Sequence, residues 1–322
     1  MSVMATAVST DSAKRALLER LIDDAGLFPP AALAMRPALR AHARHAESAY
    51  WWVSGRFVLP ASRVDEFAAA RSLESAPLDL SVVLDAAALG AKGDTVRADL
   101  ERVERARALP GVTVSSLEAR LPNLPFDDAL TARLIADVVE RYPSDNIAFW
   151  YESGYDAGWS TPPDQWLAVI ASARHTAPAN LMFGAKVRCG GERPGATPSV
   201  ADLAAFVVAA HAHDVPWKAT AGLHHPFRGV RGVDGGVVPH GFLNLFIAAA
   251  ALHAGALEPA QVTDVLAEQD PLAFVVDPAH AAWREVKVEA EQIAAARERC
   301  VAFGSCSFDE PVNDLREFGI LS

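Results

Sequence analysis

Two lysines in otherwise apolar segments are the residues best placed to do chemistry. Lys186 lies in GAKVRCGG and Lys218 lies in PWKATAG, and the chain has only five lysines beside 24 arginines. A buried ammonium group without a partner is costly, so each lysine needs either a carboxylate nearby or a lowered pKa. Both alternatives predict that these two segments carry ionisable partners or a reactive amine.

The carboxylates Glu118 and Glu152 also follow strand-like segments, and they leave two interpretations of the lysines open. In one, Lys186 and Lys218 pair with Glu118 and Glu152 as part of the scaffold. In the other, the two ammonium groups face one interior and repel, so the less solvated lysine is partly neutral near pH 7. That lysine would form an imine or act as an acid/base, with Glu152 and His224 relaying protons.

The residues after Lys186 predict a pocket for an anion. Arg188 lies two positions further along the strand and therefore shares a face with Lys186, and two glycines follow it. A guanidinium binds a carboxylate or phosphate through two parallel hydrogen bonds, and glycines let the backbone approach a ligand closely. The same parity places Thr220 beside Lys218. Further predicted substrate contacts are Glu118, His225, His240 and Asn244.

The histidines provide an alternative, a metal site. His224, His225 and His240, with Glu152 or Cys189, offer nitrogen, oxygen and sulfur donors for a zinc-like divalent ion. His224 and His225 are adjacent and would point apart on a strand, so both can bind one ion only where the chain turns. No cofactor is expected in the lysine-based interpretation. The histidines on helical stretches are expected to be solvated: His42, His45, His175, His211 and His213.

These residues follow segments that alternate between strand and helix patterns. Strand candidates rich in β-branched and aromatic residues are 55–59, 78–85, 112–117, 146–152, 181–188 and 217–223. Amphipathic helical stretches lie between them at 62–71, 94–108, 126–141, 163–175 and 199–213. The carboxyl ends of parallel strands meet at one edge, so the candidate residues are expected to converge there.

The six βα repeats predict an α/β protein with a (β/α)8 TIM-like barrel over residues 55–322. Residues 241–245 and 272–276 are the candidates for the seventh and eighth strands, and 281–303 is expected to be one long helix. A helical extension precedes the barrel at 1–54, with a helix from residue 12 to 25. The tail after 303 is expected to be a polar turn and a short apolar segment. An open doubly wound sheet is the alternative, although no GxGxxG or GxxxxGK[ST] loop follows any strand.

Composition restricts the class of partner. The net charge of −11 argues against a nucleic acid or an anionic membrane surface as the binding partner. The longest apolar run, residues 241–251, is too short to span a bilayer. No secretory signal pattern begins the chain, so a cytoplasmic location is expected. Three cysteines without a CxxC pair argue against a disulfide framework. The expected partners are a small anionic molecule and, in a homo-oligomer, further copies of the chain.

The lysine segments AKVRCGG and WKATAGLHHP resemble the two lysine-bearing strands of class I aldolases of the deoxyribose-phosphate aldolase type. The resemblance covers roughly 40 residues and implies that Lys186 is the Schiff-base lysine and Lys218 a second lysine that lowers its pKa. HHPFRG stands where that family has a Gly-Ser phosphate loop, which argues against a phosphorylated sugar. DDAGLFPPA, KATAGLHHP and GSCSFDEP also resemble a bacterial family of uncharacterised activity, and that likeness implies no reaction.

The sequence therefore predicts a lyase- or isomerase-type enzyme, aldolase-like, that acts on a small anionic carbonyl or carboxylate compound. Lys186 and Lys218 would be catalytic with Glu152 and His224, and Arg188 would hold the anionic group. A metal-dependent hydrolase or lyase that uses the histidines is the first alternative. The second is a noncatalytic binding or assembly protein that keeps the barrel and uses its surface.

Overall fold

The computed structural model describes residues 12–71, 76–85, 93–120, 128–142, 145–191, 193, 195–232 and 237–322. The start of the predicted helix 126–141 and residues 1–11 of the predicted extension lie outside these ranges. No helix within them is long and apolar enough to cross a membrane.

Eight parallel strands close into a barrel, so the predicted (β/α)8 TIM-like fold is confirmed. In barrel order they are β1 (Ile22–Asp24), β2 (Ser54–Pro60), β3 (Leu78–Leu84), β4 (Val112–Arg120), β5 (Ile147–Glu152), β6 (Leu181–Arg188), β7 (Trp217–Thr220) and β11 (Cys300–Ser305), which pairs with β1. The six predicted strands match β2 to β7. Strand β5 is buried at all six positions, as expected for a parallel strand with helices outside and side chains inside.

Helices follow the strands around the outside of the barrel. They are α1 (Ser12–Leu18), α2 (Met35–Glu47), α3 (Val64–Ala70), α4 (Gly93–Arg107), α5 (Asp128–Arg141), α6 (Pro163–Thr176), α7 (Val200–Ala212), α8 (Phe242–His253), α9 (Val262–Ala267), α10 (Ala290–Arg297) and α11 (Asp309–Glu317). Helix α1 precedes the barrel and packs against α10. Helix α2 connects β1 to β2, and α11 follows β11.

The predicted seventh and eighth barrel strands are wrong. Residues 241–245 lie at the start of α8, which is buried on every side from Phe242 to Leu252. A helix that is apolar all round has no amphipathic period, so its sequence resembles a buried strand. Residues 272–276 include β8 (Phe274–Val276), which joins β9 (His280–Trp283) and β10 (Val286–Glu289) in a separate antiparallel sheet.

The true first and last barrel strands lie in segments that were predicted to be helical. The helix expected from residue 12 to 25 stops at Leu18, and β1 follows it. The single helix expected at 281–303 is instead β9, β10, α10 and β11 in succession. The tail contains α11 where a polar turn and a short apolar segment are predicted. Elements of three to nine residues are too short for their periodicity to stand out from their neighbours.

Candidate functional site

Both lysines point into the barrel and are held by three carboxylates. Lys218 Nζ lies 2.5 Å from Asp23 Oδ2 and 2.7 Å from Glu118 Oε1. Lys186 Nζ lies 2.6 Å from Glu118 Oε2 and 3.0 Å from Glu152 Oε2. Alternating charges therefore form a continuous line across the barrel interior, with Glu118 at its centre.

Arginines extend this line toward solvent. Arg188 Nε lies 2.9 Å from Glu152 Oε1, and Arg120 Nε lies 3.9 Å from the same oxygen. The side chains of Arg188 and Arg120 are 26% and 30% exposed, whereas that of Lys186 is only 9% exposed. We call the full set the charge chain: Asp23, Lys218, Glu118, Lys186, Glu152, Arg188 and Arg120. It carries four cationic and three anionic groups, so its outer end is suited to an anion.

Strand register explains how these side chains meet. Glu152, Lys186 and Lys218 are Cα partners across β5, β6 and β7, so their side chains leave the sheet at one level and on one face. Asp23 comes from β1 and reaches Lys218 past β11. The residue of β11 that pairs with Asp23 is Gly304.

A series of hydrogen bonds from uncharged groups fixes the carboxylate of Glu118. Ser81 Oγ donates to Glu118 Oε1 over 2.6 Å, and Ser81 is itself 2.8 Å from Ser116 Oγ. The indole of Trp150 donates to Ser116 over 2.9 Å. Every group in this series is buried, so Glu118 receives a hydrogen bond from a rigid support as well as two ion pairs.

The mutual arrangement of charges decides the protonation of the site. Burial alone would lower the pKa of Lys186, but the charges of Glu118 and Glu152 outweigh it and raise that pKa above its usual range. Burial would raise the pKa of Glu118 and of Glu152, but the neighbouring cations hold the pKa of Glu118 well below its usual range and lower that of Glu152 as well. Lys186 is therefore an ammonium ion near neutral pH, which is opposite in direction to the neutral amine expected from repulsion between two lysines.

Glycines shape the rim beside Arg188. A Cβ added to Gly190 would lie 2.6 Å from the Cα of Gly222, so the loops after β6 and β7 approach each other too closely for any side chain. The amide of Cys189 also donates to the carbonyl of Thr220 over 2.9 Å. The predicted glycine turn therefore packs on backbone at this point. Thr220 is the Cα partner of Arg188, which places it at the level of the exposed rim.

His224 and His225 lie on the loop after β7, and the polar side-chain contacts described for them are with α11. His224 Nδ1 is 3.1 Å from Glu310 Oε2, and His225 Nδ1 is 2.7 Å from Asp314 Oδ2. The two ring centroids are 6.3 Å apart. These contacts join the β7 loop to α11, and neither histidine is hydrogen-bonded to the charge chain in the part of the molecule described.

His240 and Asn244 use their polar atoms to connect loops. His240 Nε2 donates to Pro198 O over 2.8 Å, while its Nδ1 accepts from Arg228 over 3.1 Å. Burial is the main reason that the pKa of His240 falls to about 4, so the ring is neutral at physiological pH. Asn244 accepts from the amide of Arg228 and donates to the carbonyls of Val265 and Glu268.

The predicted histidine ligands are therefore not brought together as a set. Both ring nitrogens of His240 have partners, and burial raises the pKa of the Cys189 thiol, which disfavours the thiolate that binds metals. Among the residues that the structure describes, the group with metal-ligand spacing is instead Asp24, His42 and His45.

Asp23 was not among the predicted site residues, and two histidines were placed wrongly. Asp23 lies within the segment 12–25, which the sequence pattern predicts to be a helix, whereas in the structure it belongs to β1. His45 is buried and His42 is largely so, which makes the expectation that they are solvated wrong. Their spacing does contain a signal, because Met35, Ala38, His42 and His45 recur at helical intervals on α2, and the two histidines contact Asp24 of β1.

Comparison of the chain with protein-family models, with curated proteins and with solved structures finds no match.

Proposed function

We propose that the protein is a lyase- or isomerase-type enzyme for a small anionic carbonyl or carboxylate compound, and that Lys186 is the lysine that meets the substrate. The observation that carries this proposal is the position of Lys186 Nζ between Glu118 and Glu152. Glu152 also binds Arg188, which is more exposed than Lys186. Lys218 is less suited to this role because its side chain is only 2% exposed.

The raised pKa of Lys186 disfavours imine formation at this residue. An imine requires the neutral amine as nucleophile, whereas an ammonium ion is ready to donate a proton to a substrate oxygen. Lys186 acts as the acid in this proposal, and it stabilises negative charge that develops on the carbonyl oxygen. The aldolase resemblance, which implies an imine at the same lysine, predicts the opposite protonation state.

Arg188 and Glu152 connect substrate binding to proton transfer. An anionic substrate competes with Glu152 for the guanidinium of Arg188, which is partly exposed and able to form two hydrogen bonds with a carboxylate or phosphate. When Arg188 turns to the substrate, Glu152 loses one of its cations and becomes a stronger base. Glu152 then accepts the carbon-bound proton while Lys186 protonates the oxygen.

Deuterium exchange tests this reaction class even though the substrate is unidentified. The protein is incubated in D₂O with small 2-oxo acids, hydroxyketones and sugar phosphates, and exchange next to the carbonyl is followed by NMR. We expect exchange for at least one compound, with a loss of about 100-fold or more in Lys186→Met and in Glu152→Gln. Lys287→Met, at an exposed position of strand β10, is the matched control and should exchange like the wild type. An equal rate in Lys186→Met would contradict the proposal.

A noncatalytic binding protein is the second candidate, because both interior lysines have carboxylate partners. The same set of compounds distinguishes it from an enzyme. A binding protein would be stabilised against thermal unfolding by one of the anions, in a manner dependent on Arg188, and would exchange no deuterium into it. Reductive trapping with borohydride should leave Lys186 unmodified in both cases, whereas an imine-forming enzyme would gain the mass of the substrate at that lysine.

A further inference from the structure

A second group of ionisable side chains lies at the carboxyl end of β1, on the face opposite to the charge chain. Asp23 points into the barrel, so the next residue, Asp24, points outward to α2. Asp24 Oδ2 is 3.2 Å from His42 Nδ1 and 3.2 Å from His45 Nδ1. The two histidines are three residues apart on α2 and therefore share a face.

The three side chains are shielded from solvent. Their exposed fractions are 5% for Asp24, 12% for His42 and 8% for His45. Aromatic rings line two sides, since the His42 ring is 5.4 Å from that of Phe57 and the His45 ring is 4.5 Å from that of Phe308. A buried carboxylate needs a compensating positive charge, and two neutral imidazoles supply hydrogen bonds only.

The ion pairs described for Asp24 are both with these histidines, and its Oδ1 accepts from the amide of Gly26 over 3.1 Å. That amide fixes the carboxylate and leaves Oδ2 directed at the two imidazoles. The distances of 3.2 Å from Asp24 Oδ2 to the two Nδ1 atoms are also close to the distances between neighbouring ligand atoms around a bound metal ion. Zinc-to-nitrogen and zinc-to-oxygen bonds of about 2.0–2.2 Å in a tetrahedron place neighbouring ligand atoms about 3.3–3.5 Å apart.

We propose that Asp24, His42 and His45 form a binding site for a divalent transition-metal ion such as Zn²⁺. Two imidazoles and one carboxylate are a ligand set that holds such an ion and leaves at least one coordination position for water. The ion supplies the positive charge that the buried carboxylate needs. It also connects β1 to α2 one residue away from Asp23, which holds Lys218.

A carboxylate outside this group supports the histidine orientation. The buried His45 Nε2 has no hydrogen-bond partner among the described residues and lies 3.6 Å from Asp309 Oδ1, on α11. Histidines that bind a metal through one ring nitrogen usually donate the other N–H to a carboxylate or carbonyl. Asp309 is the residue placed to accept that hydrogen bond once His45 binds the ion, and its side chain is 73% exposed, so it has room to adjust.

Metal analysis and titration test the site in the full chain. Protein purified without chelator should contain about one transition-metal ion per chain by elemental analysis. Chelator-stripped protein titrated with Co²⁺ should develop the visible absorption of a four- or five-coordinate ion, and Zn²⁺ should displace it. We expect His42→Ala and His45→Ala each to weaken Zn²⁺ binding by more than about 100-fold, because even partners outside the ligand set contribute about 10–100-fold.

Two further variants keep the test decisive if the alanine variants unfold. Asp309→Asn changes an exposed side chain, so it should fold normally and weaken Zn²⁺ binding by about 10–100-fold. His224→Ala removes a histidine of the other predicted metal site and should bind Zn²⁺ like the wild type. The proposal is overturned if stripped wild-type protein gives no Co²⁺ absorption, or if His224→Ala, rather than His42→Ala, releases the ion.

Discussion

Lys186 and Lys218 are Cα partners on β6 and β7, and their ammonium groups bind different oxygens of the same carboxylate, Glu118. The distances are 2.6 Å from Lys186 Nζ to Oε2 and 2.7 Å from Lys218 Nζ to Oε1. Because an anion lies between them, two lysines at one level of the barrel stabilise the site instead of repelling each other. The same carboxylate therefore determines both the stability of the barrel interior and the protonation of Lys186.

Removal of the two lysines should have unequal effects on stability. In Lys218→Met, the fully buried Asp23 loses its ion-pair partner, which should cost roughly 3–5 kcal/mol of unfolding free energy. In Lys186→Met, Glu118 keeps Lys218 and Glu152 keeps Arg188, so the loss should be smaller. Urea unfolding measures both. Lys287→Met should change stability by less than about 0.5 kcal/mol, and a larger loss in Lys186→Met than in Lys218→Met would refute this assignment of partners.

A methyl group at Gly190 should disturb the rim of the barrel. Its Cβ would lie 2.6 Å from the Cα of Gly222, and backbone cannot move aside as a flexible side chain can, so Gly190→Ala should cost about 1–3 kcal/mol. Gly304→Ala is the matched control on β11, because its nearest new contact is Thr220 Oγ1 at 3.6 Å. That variant should change the unfolding free energy by less than about 1 kcal/mol. Equal losses in the two variants would count against the close approach of the two loops.

His240 should make the protein less stable in mild acid. Its pKa is lowered to about 4 in the folded state, so the neutral ring stabilises the fold fully above the unfolded-state pKa near 6.5. That contribution is lost as the pH falls from about 6.5 to about 4, at up to about 1.4 kcal/mol per pH unit. His240→Gln keeps a donor for Pro198 and an acceptor for Arg228 without the titration. Its stability, measured by urea unfolding at several pH values, should lack this slope, and an unchanged slope would show that another group titrates.

The alternating part of the fold was predictable, because β2 to β6 each combine a buried β-rich run with a following helical pattern, and the β-rich run of β7 ends the series. The strands that complete the barrel were not. Strand β1 has three residues, two of them aspartates, and β11 follows a short helix with no clear break in pattern. Their assignment depends on closure of the barrel, which is a long-range property of the whole chain.

The candidate site was predictable only for the residues that lie on β4 to β7. Parity on β6 and β7 identified Lys186, Arg188, Lys218 and Thr220 as neighbours, and the ends of β4 and β5 supplied Glu118 and Glu152. Asp23 could not be found, since nothing local marks β1 as a strand. The histidine contacts depend on α11 and on the loop before α8, so they could not be separated from a metal site by spacing alone.

The protonation state of Lys186 is the central claim, and lysine NMR measures it directly. Protein labelled with ¹³C at lysine Cε should give five side-chain signals, and the one missing in Lys186→Met belongs to that residue. We predict that this signal titrates with a midpoint above the usual lysine pKa of about 10.4, because the charges of Glu118 and Glu152 raise the pKa of Lys186. A titration midpoint below about 9 would contradict the account and favour an imine-forming lysine instead.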